Sequence, residues 1–312
     1  MNTSATVQSR YLACGGREIH FMDWVPVNPN GSTVVAWHGL ARTGRDMDPL
    51  AVHLTSLGYR VICPDTIGRG LSQWSPDPQA EYCLDFYARI ATALVDQLKL
   101  DRFLWVGTSM GGAIGMVCAA GPLHGRIQRL VLNDIGPKLA DAAVERIRSY
   151  AGHPAAFATV GELEQYFRTV YKPYGFLTDA QWTLLTESSA RRLPDGRVTP
   201  HYDPAMVQQF VHHPTDYDLW ETYDRIDVPV LCLRGAESDL LLADTAEAMR
   251  DRGPRALVVT IAGCGHAPAL NVPEQLDLVH RFLSDGQAQS VETDVLMAKG
   301  STPDECHSPM GR

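Results

Sequence analysis

The residue of this chain best equipped for chemistry is a serine held between glycines. Gly107-Thr108-Ser109-Met110-Gly111-Gly112 reads G-x-S-x-G and joins an apolar run, Phe103 to Val106, to a helix-forming run, Ala113 to Ala120. A sharp strand-to-helix turn of this kind lifts a serine hydroxyl into the open, and glycines on either side let neighbouring backbone approach without side-chain clashes. The helix N-terminus beneath the turn favours developing negative charge. A serine hydroxyl is nonetheless a poor nucleophile until a base takes its proton, so a histidine has to come from elsewhere in the fold.

Of the eleven histidines, His266 is the best placed. It stands in Gly263-Cys264-Gly265-His266-Ala267-Pro268, directly after the strand-like run Ala256 to Ile261, where glycines permit the bend that aims an imidazole back at the strand ends. A carboxylate must then fix the imidazole tautomer and stabilise its charged form. Asp239 is expected to do so, from Arg234-Gly235-Ala236-Glu237-Ser238-Asp239 after the run Val228 to Leu233. Two rivals stay open: Glu237 on the same stretch, and Asp134 in Asn133-Asp134-Ile135-Gly136-Pro137, read instead as a hinge residue. An oxyanion formed at the serine needs preorganised N–H donors. The backbone N–H groups of Met110 and of Leu40, in Trp37-His38-Gly39-Leu40, are the candidates, with His38 itself a loop-packing residue.

The elements that must position these groups alternate. Thr33 to Trp37, Tyr59 to Cys63 and Phe103 to Val106 are strand-like, with helical stretches Met47 to Ser56 and Tyr82 to Leu98 between them. That alternation predicts βαβ units in a parallel sheet, and nearly unbroken apolar runs such as Thr33 to Trp37 predict strands covered on both faces. Tyr11 to Trp24, with Gly15-Gly16 in the middle, predicts a hairpin at one sheet edge. After Arg129 to Leu132 the strand signal stops, and from about Pro137 to Tyr223 the chain is helical and rich in Tyr, Trp, His and Phe before strands resume.

Composition narrows the class. The chain has 312 residues, 45% hydrophobic and 20% charged, which is ordinary globular usage. A net charge of -9 with no Lys/Arg cluster argues against tracking nucleic-acid phosphates. No apolar run is long enough to span a bilayer, and the polar segment Met1 to Arg10 carries no export signal, so a cytoplasmic protein is expected. Seven cysteines without C-x-x-C spacing read as free thiols, with neither a zinc site nor a disulfide framework.

Together, His38-Gly39, the loop Pro64 to Ser72, the Ser109 elbow, Asp239 and Gly265-His266 resemble the α/β-hydrolase superfamily, in particular its lid-bearing serine esterase and lactonase-like branch. The resemblance implies an α/β-hydrolase fold: a mostly parallel sheet of about eight strands flanked by helices, with a helical lid inserted after the sixth strand. Residues 1–136 and 226–284 would form the core, 137–225 the lid and 285–312 a disordered tail. Haloalkane dehalogenases and epoxide hydrolases carry an aspartate at the elbow, and meta-cleavage C–C hydrolases a Gly-Pro-Gly-rich oxyanion loop; Ser109 and His38-Gly39-Leu40-Ala41-Arg42 depart from both.

The implied activity is hydrolysis of a carboxylic ester of small or medium acyl size through an acyl-enzyme, with no metal or organic cofactor. The partner is then a small-molecule ester rather than nucleic acid or membrane, and a homo-oligomer stays open. The alternatives are a C–C bond hydrolase of a ring-cleavage product, a perhydrolase side activity, and a hydrolase-fold small-molecule receptor. For substrate binding, Arg42 and Arg69 are candidates to pair a carboxylate bidentately, against the plainer reading of surface solvation. Trp74, Phe167, Tyr171, Tyr174, Trp182, Tyr202 and Trp220 are candidates for an apolar acyl pocket. Arg191 to Arg197, with Pro194-Asp195-Gly196 inside it, reads as a solvated turn.

Overall fold

The computed structural model describes residues 5–285. Strands β1 (Thr6–Cys14) and β2 (Arg17–Val25) pair antiparallel through Gly15 and Gly16, both at positive φ, as a two-residue hairpin demands. The sheet continues through β3 (Thr33–Trp37), β4 (Arg60–Pro64), β5 (Phe103–Thr108) and β6 (Ile127–Asn133). A two-stranded ribbon, β7 (Ala190–Arg192) with β8 (Val198–Pro200), interrupts it before β9 (Val230–Gly235) and β10 (Leu257–Ile261) complete it. The eight-stranded sheet has the order β1-β2-β4-β3-β5-β6-β9-β10, with the hairpin on one edge and every pairing from β4 to β10 parallel.

The strands read as continuous apolar runs because helices cover both faces. On β3, Val35 and Trp37 enter one core cluster while Val34 and Ala36 enter the other. On β5, Phe103 and Trp105 alternate in the same way with Leu104 and Val106. The helices Leu84–Gln97 and Met110–Ala120 lie over the first face, and Asp48–Ser56 and Pro273–Asp285 over the second. Trp37 and Trp105 stack with ring centroids 5.3 Å apart directly under the elbow. Chain reversal at β3, which pairs with β4 on one side and β5 on the other, opens a crevice beyond the C-terminal strand ends, where ligands of such sheets bind.

Between β6 and β9 the chain leaves the sheet. This insertion is more than helical: besides the helices Asp141–Ala151, Val160–Val170 and Asp179–Ser188 it contains the β7–β8 ribbon, whose turn includes Gly196 at φ 87°. The short polar turn defeats a purely helical reading, because Arg191 and Arg192 sit in extended backbone paired with Val198 and Thr199. Two of its helices start with capping boxes, at Thr159 with Glu162 and at Thr178 with Gln181. Leu163, Phe167, Tyr171, Trp182 and Val198 give the insertion a small core of its own.

No helix among the described residues is long and apolar enough to cross a membrane. The six cysteines from Cys14 to Cys264 are buried and unpaired; Cys306 and the expected tail beyond Asp285 lie outside the described residues.

Candidate active site

Ser109 ends β5 and opens the helix Met110–Ala120, and it holds φ 52°, a left-handed conformation that non-glycine residues seldom adopt. The turn is possible only because glycine surrounds it. A Cβ on Gly107 would land on the backbone of Gly111 and Gly112, and one on Gly111 would land on the Trp37 carbonyl. The indole Nε1 of Trp105 donates to the Gly111 carbonyl at 3.0 Å and pins the helix start from below.

The structure brings Ser109 and His266 together: the Ser109 hydroxyl is 2.9 Å from His266 Nε2. On the other side of the ring, His266 Nδ1 lies 2.7 Å from Asp134 Oδ2. The expected acid, Asp239, is not there. It is half-exposed and paired with Arg146 on the helix Asp141–Ala151 at 2.7 Å. The reason lies in sheet register. Thr108 of β5 pairs with Asn133 of β6, so the next residues along the two strands, Ser109 and Asp134, emerge side by side at the same sheet end. β6 and β9 are parallel neighbours, so the loop after β9 opens onto the same place and contributes differently: the Gly235 N–H donates to Asp134 Oδ1 at 2.7 Å and the Ser238 hydroxyl to Oδ2 at 2.5 Å. Asp134, read from the sequence as a hinge residue, is fully buried at φ 52° with its carboxylate held by these hydrogen bonds. Glu237, the other rival, contributes its backbone N–H to Cys264.

The N–H groups of Leu40 and Met110 donate to no protein group among the described residues, and both flank the Ser109 cavity or begin its helix. The loop carrying Leu40 is fixed from several sides. Thr66 N–H donates to His38 Nε2 at 2.9 Å, which leaves the proton on Nδ1 to donate to the Gly39 carbonyl at 2.6 Å. Burial pushes the His38 imidazole down to about 4, so it is neutral. Arg69, fully buried, donates to the Leu40 carbonyl at 2.9 Å and to the Ile67 carbonyl at 2.7 Å, with its guanidinium over the rings of Tyr82 and Tyr87. Every direction of that fork is used inside the protein, so Arg69 shapes the loop and does not face substrate.

Arg42 is likewise buried rather than solvated. Its Nε and Nη2 grip the two oxygens of Asp46 at 2.6 Å each, Nη2 also reaches Ser189 Oγ at 2.9 Å, and Tyr171 lies 4.5 Å from the guanidinium carbon. Burial opposes the charge, but Asp46 more than restores it, and Arg42 stays protonated. The bidentate face expected for a substrate carboxylate is occupied by Asp46.

Two cavities meet at this site. One, of about 50 Å³, is lined by Ser109, His266, Leu40, Tyr150, Tyr171 and Arg146 among others. The second, of about 70 Å³, lies on the other side of Thr108 and Gly39 and is walled by Met47, Leu177, Leu184, Leu185, Pro268 and Leu270. Arg42 and Tyr174 border both. Of the aromatic residues expected in a pocket, Tyr171 and Tyr174 line it. Phe167 and Trp182 fill the insertion core, Trp220 packs on Tyr223, and Trp74 is 37% exposed beneath Arg191. Tyr202 is buried in the main core with its backbone bridged to Arg69. Arg146, Ile147 and Tyr150 were not expected at the site; their spacing of three and four residues on one helix is the signal that marks a shared face.

A second Ser–His–Asp chain lines neither cavity, Ser9 Oγ to His20 Nε2 at 2.8 Å and His20 Nδ1 to Asp65 Oδ2 at 2.7 Å. Its serine and histidine sit on β1 and β2 and its aspartate follows β4, without an elbow or a helix start. Its evident effect is to partner the buried Asp65, which also accepts from the Gly44 and Leu71 N–H groups.

Comparison with known proteins agrees with this architecture. The family model described as the alpha/beta hydrolase fold matches residues 32–271. The chain is 37% identical to a 3-hydroxybutyrate-oligomer hydrolase of Cupriavidus necator over 90% of this chain and 99% of that one. An esterase of Escherichia coli is 25% identical over 82% of this chain and 94% of that one. Among solved structures, an alpha/beta hydrolase from Novosphingobium aromaticivorans superposes with a TM-score of 0.79 at 33% identity, covering 90% of this chain and 99% of that one. With the family model spanning most of the chain and the sheet, elbow and insertion arranged as described, the protein belongs to the α/β-hydrolase fold family and is a hydrolase of that family.

Proposed function

We propose that this hydrolase is a serine esterase that cleaves a small or medium carboxylic ester through an acyl-enzyme, with Ser109 as nucleophile, His266 as base and Asp134 as the acid that orients the base. The observation that carries the reading is the unbroken hydrogen-bond chain from the Ser109 hydroxyl through both ring nitrogens of His266 to a buried carboxylate. With Asp134 accepting from Nδ1–H, the free lone pair of Nε2 faces Ser109, which is the tautomer that removes the hydroxyl proton.

In this reading, Ser109 Oγ attacks the ester carbonyl while its proton passes to His266 Nε2. The carbonyl oxygen becomes an oxyanion facing the N–H groups of Leu40 and Met110, each such donor being worth about 10² to 10³ in rate. Collapse of the tetrahedral species expels the alcohol, which takes the proton from His266. Water then attacks the acyl-enzyme, giving its proton to the same nitrogen, and as the second tetrahedral species collapses His266 returns that proton to Ser109 Oγ, which releases the acid. The insertion covers the strand ends and supplies Tyr150, Tyr171 and Tyr174, whose rings exclude water from the intermediate.

Similarity to a 3-hydroxybutyrate-oligomer hydrolase supports a short hydroxy-acid ester as the substrate, and the small volumes of both cavities agree with short units rather than a long acyl chain. The test is labelling with a fluorophosphonate followed by peptide mapping, alongside hydrolysis of p-nitrophenyl esters from acetate to dodecanoate. Labelling at Ser109, lost in Ser109→Ala, with turnover highest for short acyl groups is the expected result. Folded protein that takes no label and turns over no ester would refute the reading.

A further inference from the structure

The wall between the two cavities contains one polar group that the protein leaves unsatisfied. Arg42 Nη1 is buried and takes no partner among the described residues, although Nε and Nη2 of the same guanidinium are bound to Asp46 and Ser189. Its side chain is 4% exposed and borders both cavities. Its stem is close to the nucleophile: a Cβ built on Gly39 would stand 3.6 Å from Ser109 Cβ and 3.9 Å from Arg42 Cγ. Buried N–H groups are ordinarily paired, and one kept bare beside a reacting centre is a donor awaiting an acceptor.

The environment decides which acceptor. Asp46 already balances the Arg42 charge, so the pair as a whole is neutral, and Tyr171, Tyr174, Leu184 and Leu185 line the cavities beside it. Of the other residues lining the second cavity, Arg45 is paired with Asp48 at 2.6 Å, and Gln181 and Asn271 carry neutral amides. A carboxylate brought to Nη1 would lose its hydration in an apolar cavity and approach the negative oxygens of Asp46. A neutral carbonyl oxygen carries neither cost and still gains a charge-assisted hydrogen bond.

Direction follows from the lining residues. The cavity with Ser109, His266 and the half-exposed Arg146 lies on the side where the alcohol must collect its proton and depart. The apolar cavity beyond Gly39 and Thr108 contacts neither Ser109 nor His266 and is left to the acyl chain.

We infer that Arg42 Nη1 is a specificity donor for a second, neutral carbonyl in the acyl half of the substrate, so that the enzyme prefers an ester of an acylated hydroxy acid over a simple acyl ester. This rests on the esterase reading above. It differs from a carboxylate clamp in requiring an internal repeat of the ester rather than a charged end.

The test compares p-nitrophenyl 3-acetoxybutanoate with p-nitrophenyl 3-ethoxybutanoate, in which the second carbonyl is replaced by methylene at nearly the same length. For the wild-type enzyme kcat/KM should favour the acetoxy ester roughly ten- to hundredfold, the range for a hydrogen bond to a charged donor. In Arg42→Lys the ammonium stays with Asp46 and the free donor is gone, so the ratio should fall to within about threefold of one, whatever the absolute rates. If that variant does not fold, the pair Arg42→Met with Asp46→Asn removes both charges together and gives the same readout.

Equal turnover of the two esters by the wild-type enzyme would overturn the inference while leaving the esterase reading intact. So would a preference that survives in the variants. Turnover of neither ester would instead count against the esterase reading itself.

Discussion

Asp134 is the lateral neighbour of Ser109. Thr108 and Asn133 form the last paired rung between β5 and β6, and the next residue on each strand is the serine on one side and the carboxylate on the other, both at φ 52°. His266 closes the gap from the loop after β10, and the Asn133 amide holds that loop by donating to the Pro268 carbonyl at 2.8 Å. Positive φ in non-glycine residues costs of order 1–3 kcal/mol each, and here it falls on two of the three members of one hydrogen-bond chain. The two conformations turn adjacent side chains out of the sheet towards one imidazole.

It follows that Asp134→Asn should lower kcat/KM for a p-nitrophenyl ester by about 10⁴, because an amide in that place favours the wrong imidazole tautomer. Asp239→Asn should change it by less than about threefold, since it removes only a half-exposed pair with Arg146 worth at most about 1 kcal/mol. Steady-state kinetics on the two variants decides the matter. The reverse ranking would return the role to Asp239.

Ser238 holds the carboxylate in place from the far side. Its hydroxyl donates to Asp134 Oδ2 and in turn accepts from the Leu241 N–H at 3.1 Å, so the loop after β9 grips the carboxylate that meets His266. Ser238→Ala should therefore lower kcat roughly tenfold, by freeing the carboxylate to rotate, with a smaller change in KM. A loss confined to KM would show that the serine acts on substrate binding instead.

The sheet, the elbow and the histidine loop were legible because each has a local signature. β3 reads as strand from five consecutive apolar or β-branched residues, and Gly107 and Gly111 mark a turn that only glycine allows. The carboxylate beside His266 was not legible. Asp134 and Asp239 both follow strands, both lie between Ser109 and His266 in the chain, and β6 and β9 are parallel neighbours, so chain order cannot separate them. Register can, and register is set by pairing across the sheet rather than by either segment alone. Arg42 and Arg69 misled for a related reason: arginine in a loop reads as surface, and the carbonyl, hydroxyl and rings that enclose these two come from distant parts of the chain, although the carboxylate that holds Arg42 is only four residues away.

The elbow itself is sensitive to a single methyl group. Gly111→Ala would drive a Cβ into the Trp37 carbonyl, part of the backbone at the end of β3, which has no side chain to move aside. Relief requires the helix start to shift and carry Ser109 away from His266. A stability loss of about 1–3 kcal/mol in urea unfolding, together with loss of fluorophosphonate labelling, is expected. A labelled, fully stable variant would show that the turn is looser than its contacts imply.

Acid should weaken the fold through His38. Burial holds its imidazole down at about 4, against about 6.5 in an unfolded chain. Because the unfolded state takes up the proton first, the neutral histidine contributes fully above about pH 6.5, and its contribution is lost as pH falls from there towards 4, by up to roughly 3 kcal/mol. The same ring accepts from the Thr66 N–H, an interaction a protonated imidazole cannot keep. Urea midpoints for the wild type should therefore decline between pH 7 and pH 4.5. His38→Asn should start lower at pH 7 and decline less steeply over that interval, since asparagine offers an acceptor without titrating. An equal slope in the two proteins would assign the acid sensitivity to other groups.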